Sequence, residues 1–126
     1  MPRKVIVAVD DMFFASKIRA TAEAAGVDIK FCRNIDVLLA ASAEPLPALI
    51  VVDLHNTKID PMNLARQLKS NEDLRSVPLL GFFSHVQTEL QQKALQAGYE
   101  RVVPRSVFAR DLEKILLGDD EANGRT

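Results

Sequence analysis

The sequence predicts an α/β protein: a doubly wound sheet of five parallel strands, in the order 2-1-3-4-5, with helices on both faces. Three observations lead there. Leu49-Ile50-Val51-Val52 is an apolar run without polar alternation, the mark of a strand covered on both faces. Val5-Ile6-Val7-Ala8-Val9 is a second such run, and both end abruptly in carboxylates, Asp53 and Asp10-Asp11. Segments of helical period lie between the apolar runs, so the chain alternates strand and helix throughout. Alternation of this kind gives parallel strands joined by right-handed crossovers.

The elements follow in order. After the first strand, a helix is expected from about Phe13 to Ala25, with Phe14, Ile18, Ala22 and Ala25 inward and Gly26 as terminator. Val27-Asp28-Ile29-Lys30-Phe31 alternates cleanly, as a strand with one wet face near the sheet edge does. Asn34 caps a second helix running to about Ala43, with Ile35, Leu38 and Leu39 inward, and Pro45 and Pro47 end it. The central strand, Ala48 to Val52, leads into a loop from His55 to Ile59. Asp60-Pro61 then opens a third helix, with Asp as cap and Pro at the first helical position. Val77 to Phe83 is the fourth strand, with Pro78 confined to its beginning. Val86 to Ala97 is helical and closed by Gly98. Glu100 to Val103 is the last strand, Pro104 to Ser106 a turn, and a single final helix runs to about Leu117. Residues 1–118 are expected to form one domain. Gly118 to Thr126 carries no apolar anchor and is expected to fray from about Asp119 as an acidic, polar tail.

Composition narrows the function classes. The chain has 126 residues, 48% hydrophobic and 26% charged, which fits one core in one domain. A net charge of −1 gives no electrostatic case for nucleic acid or an anionic membrane. Cys32 is the sole cysteine, which rules out an internal disulfide and a cysteine zinc cluster, and its place after Phe31 makes it a buried or half-buried strand residue. Apolar runs are too short for a membrane span, and the N-terminus lacks the pattern of a signal peptide, so the cytoplasm is the expected compartment.

Functional groups in open α/β sheets sit outside the carboxyl ends of the strands, where the strand order switches direction. With the first and third strands adjacent, Asp10, Asp11 and Asp53 are expected to converge in one shallow pocket. Clustered carboxylates repel unless a cation is present, and a hard divalent ion, Mg²⁺ or Mn²⁺, is the natural occupant. For a lone strand-end Asp, capping the next loop is an equally good reading.

At this point the sequence resembles the receiver domain of bacterial two-component response regulators. The resemblance covers residues 3 to 117 and rests on Lys4-Val5-Ile6-Val7-Ala8-Val9-Asp10-Asp11, Pro47-Ala48-Leu49-Ile50-Val51-Val52-Asp53-Leu54, Val77-Pro78-Leu79-Leu80 and Ala94-Leu95-Gln96-Ala97-Gly98, in that order and spacing. It implies the flavodoxin-like three-layer topology, with Asp53 as phosphoacceptor. It further implies that Asp10 and Asp11 hold Mg²⁺ directly or through water, that Asp53 shares the ion, and that the His55 backbone carbonyl completes the site. A histidine kinase or phosphotransfer protein would be the phosphate source. A downstream protein would dock on the face of the fourth helix, fifth strand and fifth helix.

The departures from the family are specific. The position of its Thr or Ser after the fourth strand is Phe83, with Ser84 one residue on; only a bulged loop would let the Ser84 hydroxyl substitute. Its Lys after the fifth strand is Arg105, whose planar fork is not interchangeable with an ammonium, and the proline lies before it, at Pro104. Its switching aromatic is Val102, and the loop after the phosphoacceptor is Asn56-Thr57-Lys58-Ile59-Asp60-Pro61. Other features have bland readings: His85 as a solvated or capping residue, Phe13, Phe14, Phe82, Phe83 and Phe108 as core or helix-packing residues, with Phe13 or Phe83 shielding the pocket mouth as the minor reading, and Arg101, Arg105 and Arg110 as a solvated basic face, with a partner-docking or anion site as the alternative.

Three functions compete. The first is a stand-alone atypical receiver in a phosphorelay, accepting phosphate on Asp53 with weakened switching and acting through protein contacts. The second is a phosphorylation-independent interaction module of the same fold, favoured by the missing hydroxyl and aromatic. The third, ranked last, is a flavodoxin-like nucleotide-binding enzyme; it would need a Gly-rich or Ser/Thr-rich phosphate loop where the chain has Asp10-Asp11-Met12-Phe13-Phe14. The length leaves no room for a DNA-binding output domain, and no enzymatic activity beyond phosphorylation and dephosphorylation of Asp53 is expected.

Overall fold

A computed structural model describes residues 3–43, 45–84 and 88–118. The elements are β1 (Lys4–Ala8), α1 (Met12–Ala25), β2 (Asp28–Phe31), α2 (Ile35–Ala43), β3 (Leu49–Asp53), α3 (Pro61–Ser70), β4 (Leu79–Phe83), α4 (Thr88–Ala97), β5 (Arg101–Pro104), α5 (Arg105–Arg110) and α6 (Leu112–Leu117). All strand pairings are parallel, and the order is β2-β1-β3-β4-β5, as the sequence predicts.

Strand parity divides the interior into two layers, because successive side chains point to opposite faces. Ile6, Ala8, Ile50, Val52, Leu79 and Phe83 pack with Leu38, Leu64, Leu68 and Ala94 from α2, α3 and α4. Val5, Val7, Leu49, Val51, Leu80 and Phe82 pack with Phe14, Ile18, Phe108, Leu112 and Leu116 from α1, α5 and α6. The neighbours Phe82 and Phe83 therefore serve opposite cores. Phe14 meets Phe82 edge-on at 5.3 Å, and Phe82 stacks on Phe108 at 4.7 Å, which makes a rigid aromatic wall under the carboxyl end of the sheet. At the other end, Arg3 Nε donates to the Leu116 carbonyl at 2.6 Å, tying the start of β1 to the last turn of α6.

The local signals act as expected at most boundaries. Asn34 Oδ1 accepts from Val37 N at 2.8 Å, and Asp60 caps α3 with Pro61 in its first turn. Gly26 terminates α1 with φ +74°, the left-handed conformation that a residue without Cβ adopts freely. β2 alternates exposed and half-buried residues, and Cys32 just beyond it is buried.

Three expectations need correction. The last helix is not continuous: Asp111, at φ −102° and ψ 20°, bends it into α5 and α6. The bonds from Asp111 N to Val107 O and from Ile115 N to Asp111 O persist, so the helix bends without ending. At the bend Arg110 grips its own neighbour, with Nε to Asp111 Oδ1 at 3.0 Å and Nη2 to Oδ2 at 2.9 Å, although successive residues do not face each other on a regular helix. Phe13 is not core: it is 91% exposed beside Met12 at 81%, since the helix turns Phe14 inward and leaves its predecessor outside. The arginines divide: Arg110 stays largely exposed, as a solvated residue does, although it pairs with Asp111, whereas Arg105 is half-buried against Asp11. His85 and the tail, residues 119–126, lie outside the described residues.

Among the described residues no helix is long and apolar enough to cross a membrane.

Candidate functional site

The carboxyl ends of β1, β3 and β5 bring Asp10, Asp11, Asp53 and Arg105 to one edge of the sheet. Asp53 is the last residue of β3 and is half-buried. Its Oδ1 accepts the His55 N–H at 2.9 Å. Burial pushes the Asp53 carboxyl above its ordinary range. The His55 amide, the His55 ring and the Arg105 charge pull it down, while the charge of Asp11 pushes it further up.

Asp11 has two roles at once. Its Oδ1 caps α1, accepting from Phe13 N at 2.9 Å and Phe14 N at 3.1 Å. Its Oδ2 accepts from Arg105 Nη2, also at 2.9 Å. The Phe14 amide and then the Arg105 guanidinium hold the Asp11 carboxyl below the usual carboxylate range. Arg105 opens α5 directly after Pro104, and its guanidinium lies 4.3 Å from the centroid of the Phe14 ring. The guanidinium is thus held by a charge on one side and a ring on the other.

Asp10 turns toward the loop after β3. Lys58 Nζ lies 3.4 Å from its Oδ1, and Thr57 Oγ1 donates to its Oδ2 at 3.3 Å. That loop is fixed by Asn56, a buried polar residue the sequence reading passed over. Its Nδ2 donates to Ala8 O at 3.1 Å, and its Oδ1 accepts from Lys58 N and Ile59 N. The signal was present, since Asn in a loop commonly bonds the backbone two residues on, but nothing local reveals the reach to β1.

The candidate switch residues are placed as follows. Phe83 is buried against α2, α3 and α4 and carries no donor, and Ser84 follows the strand as an exposed residue. Val102 pairs with Gly81 across β4 and β5 and is half-buried. A buried aromatic hydroxyl stands nearby at Tyr99, which the sequence reading did not single out: its Oη donates to Pro61 O at 2.9 Å. Gly81 makes room for this ring, because a Cβ there would lie 3.1 Å from Tyr99 Cδ2 and 2.9 Å from Leu54 Cδ2.

The oxygen-rich chemistry of Asp11 and Asp53 suits a divalent ion, but the arrangement does not. Among the described residues no three acidic, His or Cys side chains stand close enough to share an ion. Asp11 accepts three hydrogen bonds, one of them from the Arg105 guanidinium, and Arg105 and Lys58 already supply positive charge to Asp11 and Asp10. As they stand, Asp11 and Asp10 are turned to protein cations and not left open to Mg²⁺.

No family model matches the chain. It is 25% identical over 122 residues to the polar-differentiation response regulator DivK of Brucella anthropi, covering 94% of this chain and 99% of that protein. It also superposes on the CheY-like receiver domain protein of Methanospirillum hungatei JF-1, with TM-score 0.77, 17% identity and complete coverage of both chains. A third match is the receiver domain of a sensor histidine kinase from Pseudomonas aeruginosa PAO1, whose structure has a magnesium ion coordinated in the active-site cleft. Its TM-score is 0.79 at 16% identity, over 92% of this chain and 95% of that one. Sheet order, strand-end carboxylates and a relative aligned over almost its whole length agree: the chain has the fold of the receiver domains and is similar along nearly all of it to a response regulator of two-component signalling.

Proposed function

We propose that this receiver accepts a phosphoryl group on Asp53 and couples it only weakly to the rest of the domain. The observation that carries the reading is the contrast between Asp53 and Phe83. Asp53 is a half-buried carboxylate at the end of the central strand, while the residue aligned with the hydroxyl that would grip a phosphoryl group is a buried phenyl ring. In the transfer, an Asp53 oxygen attacks phosphorus, a P–O bond forms, and the bond to a donor's imidazole nitrogen breaks. A carboxylate whose pKa is raised by burial is the more basic nucleophile. The acyl phosphate then has Arg105 as its nearby cation, with Ser84 as a hydroxyl that a loop shift would add. The donor is a histidine kinase or phosphotransfer protein, the output is protein contact in the cytoplasm through the face of α4, β5 and α5, and no further enzymatic activity is assigned.

A second reading, a docking module indifferent to phosphate, is favoured by the same phenyl ring at Phe83. Intact-mass measurement after incubation with a small-molecule phosphodonor, with and without Mg²⁺, separates the two. The first reading expects one phosphoryl adduct that is absent from Asp53→Asn. An unmodified mass under both conditions supports the second.

A further inference from the structure

The disagreement between the acidic pocket and a divalent ion has a definite cause at Arg105. We propose that Arg105 is the resident cation of this pocket, and that it and a divalent ion occupy Asp11 only in alternation. The inference rests on the receiver reading for the identity of the competing ion.

Asp11 Oδ1 caps α1 by accepting from the amides of Phe13 and Phe14, so Oδ2, which accepts from Arg105 Nη2, is the oxygen that an ion in the pocket would share with the guanidinium. Mg²⁺ binds its oxygens at about 2.0–2.1 Å in near-ideal octahedral geometry. An ion at that distance from Oδ2 would face a guanidinium nitrogen 2.9 Å from the same oxygen, cation against cation. One of the two must leave.

Arg105 is built to stay. Its guanidinium carbon lies 4.3 Å from the centroid of the Phe14 ring, and Phe14 packs edge-on against Phe82 and Phe108. Its backbone is fixed by the start of α5 after Pro104, whose φ is −64°. A lysine at this position would be a flexible point charge, free to swing aside, whereas the planar guanidinium has both a ring and a carboxylate to hold it. Lys58 differs: its ammonium is mostly exposed, at 3.4 Å from Asp10, and such pairs are easily displaced. The barrier to metal binding is therefore specific to Arg105 and is not a matter of overall charge.

The test titrates the full chain with Mg²⁺, and with Mn²⁺ for paramagnetic broadening, following amide signals around Asp11 and Asp53. Arg105→Gln should bind Mg²⁺ about tenfold tighter than the unmodified protein, equivalent to about 1.4 kcal/mol. Arg105→Lys should fall between them, and Lys58→Gln should move affinity by about twofold or less. In the unmodified protein, saturation should shift the Arg105 Nε–Hε signal as the guanidinium leaves. Equal gains in Arg105→Gln and Lys58→Gln would reduce the effect to net charge and overturn the proposal. So would a metal-saturated protein in which the Arg105 signal has not moved. If the metal-saturated unmodified protein takes up no phosphoryl group while the Arg105→Gln gain in affinity is found, the phosphoacceptor reading fails and the competition at Asp11 stands.

Discussion

Asp53 carries a stability cost that follows from its position. Burial raises its pKa above the ordinary 3.8, so the folded state keeps its proton to higher pH than the unfolded state does. The sign follows from linkage: as pH rises from the unfolded value through the folded one, the unfolded state loses its proton first and stability falls. Above that window Asp53 destabilises the fold. Asp53→Asn keeps an acceptor for the His55 amide and removes the buried charge. The variant should show a higher urea midpoint than the parent at pH 7, with the difference vanishing near about pH 3, where the parent carboxyl is protonated in both states. A lower midpoint at pH 7 would mean that the neighbouring positive charge outweighs desolvation. Asp11 runs the opposite way, its lowered pKa contributing stability above the ordinary value that is lost as pH falls through the folded one.

At the scale of elements, much was legible because the deciding interactions are local. Asn34, Asp60-Pro61 and Gly26 act within one helical turn of where they stand, and the uninterrupted run of β3 states its own burial. The acidic residues were found for the same reason. Their partners were not: Arg105 is 94 positions from Asp11, and Asn56 is 48 from Ala8, and no periodicity encodes such pairs. Phe13 shows a local signal set aside, since the period that turns Phe14 inward also turns Phe13 out. The bend at Asp111 comes with a contact between adjacent side chains that period and propensity do not describe.

Tyr99 joins the turn before β5 to the start of α3, and its contribution can be measured. Burial, then the charge of Asp60, raises its pKa well above 10. The folded state holds this proton while the unfolded state releases it, so the stability is present below about pH 10 and declines above it. Tyr99→Phe loses the bond to Pro61 O and should cost about 1 kcal/mol at neutral pH. The same variant should lose the parent's steeper decline above about pH 10 in urea titrations. Matching alkaline slopes in the two proteins would remove Tyr99 as their cause.

For the whole molecule, the question is how far a phosphoryl group on Asp53 is felt. It adds roughly −1.5 to −2 charge at pH 7, which must find donors to drive a change of structure. Phe83 offers none, and Val102 cannot follow a hydroxyl as an aromatic switch would. A ligand shifts an equilibrium only by its differential interaction with the two states. Amide-resolved NMR of the protein with a phosphoryl group or fluoroberyllate on Asp53 should therefore show small changes at Leu90 and Val102. Large shifts there would restore a conventional phospho-switch, with Ser84 as its hydroxyl. Phe83→Thr combined with Val102→Tyr should recover part of the response.

The bond from Arg3 to Leu116 has a consequence unrelated to signalling. It joins residues 113 apart in sequence, so the chain nearly closes on itself as a ring around the sheet. Linking those two points covalently would need only a short bridge. Loop-closure entropy grows with just the logarithm of the length enclosed, and here the folded state has already brought Arg3 and Leu116 together. The order in which the polypeptide visits its strands is thus separable from the arrangement that they reach. The exposed turn around Leu46, between α2 and β3, is where a circularly permuted chain would most easily begin.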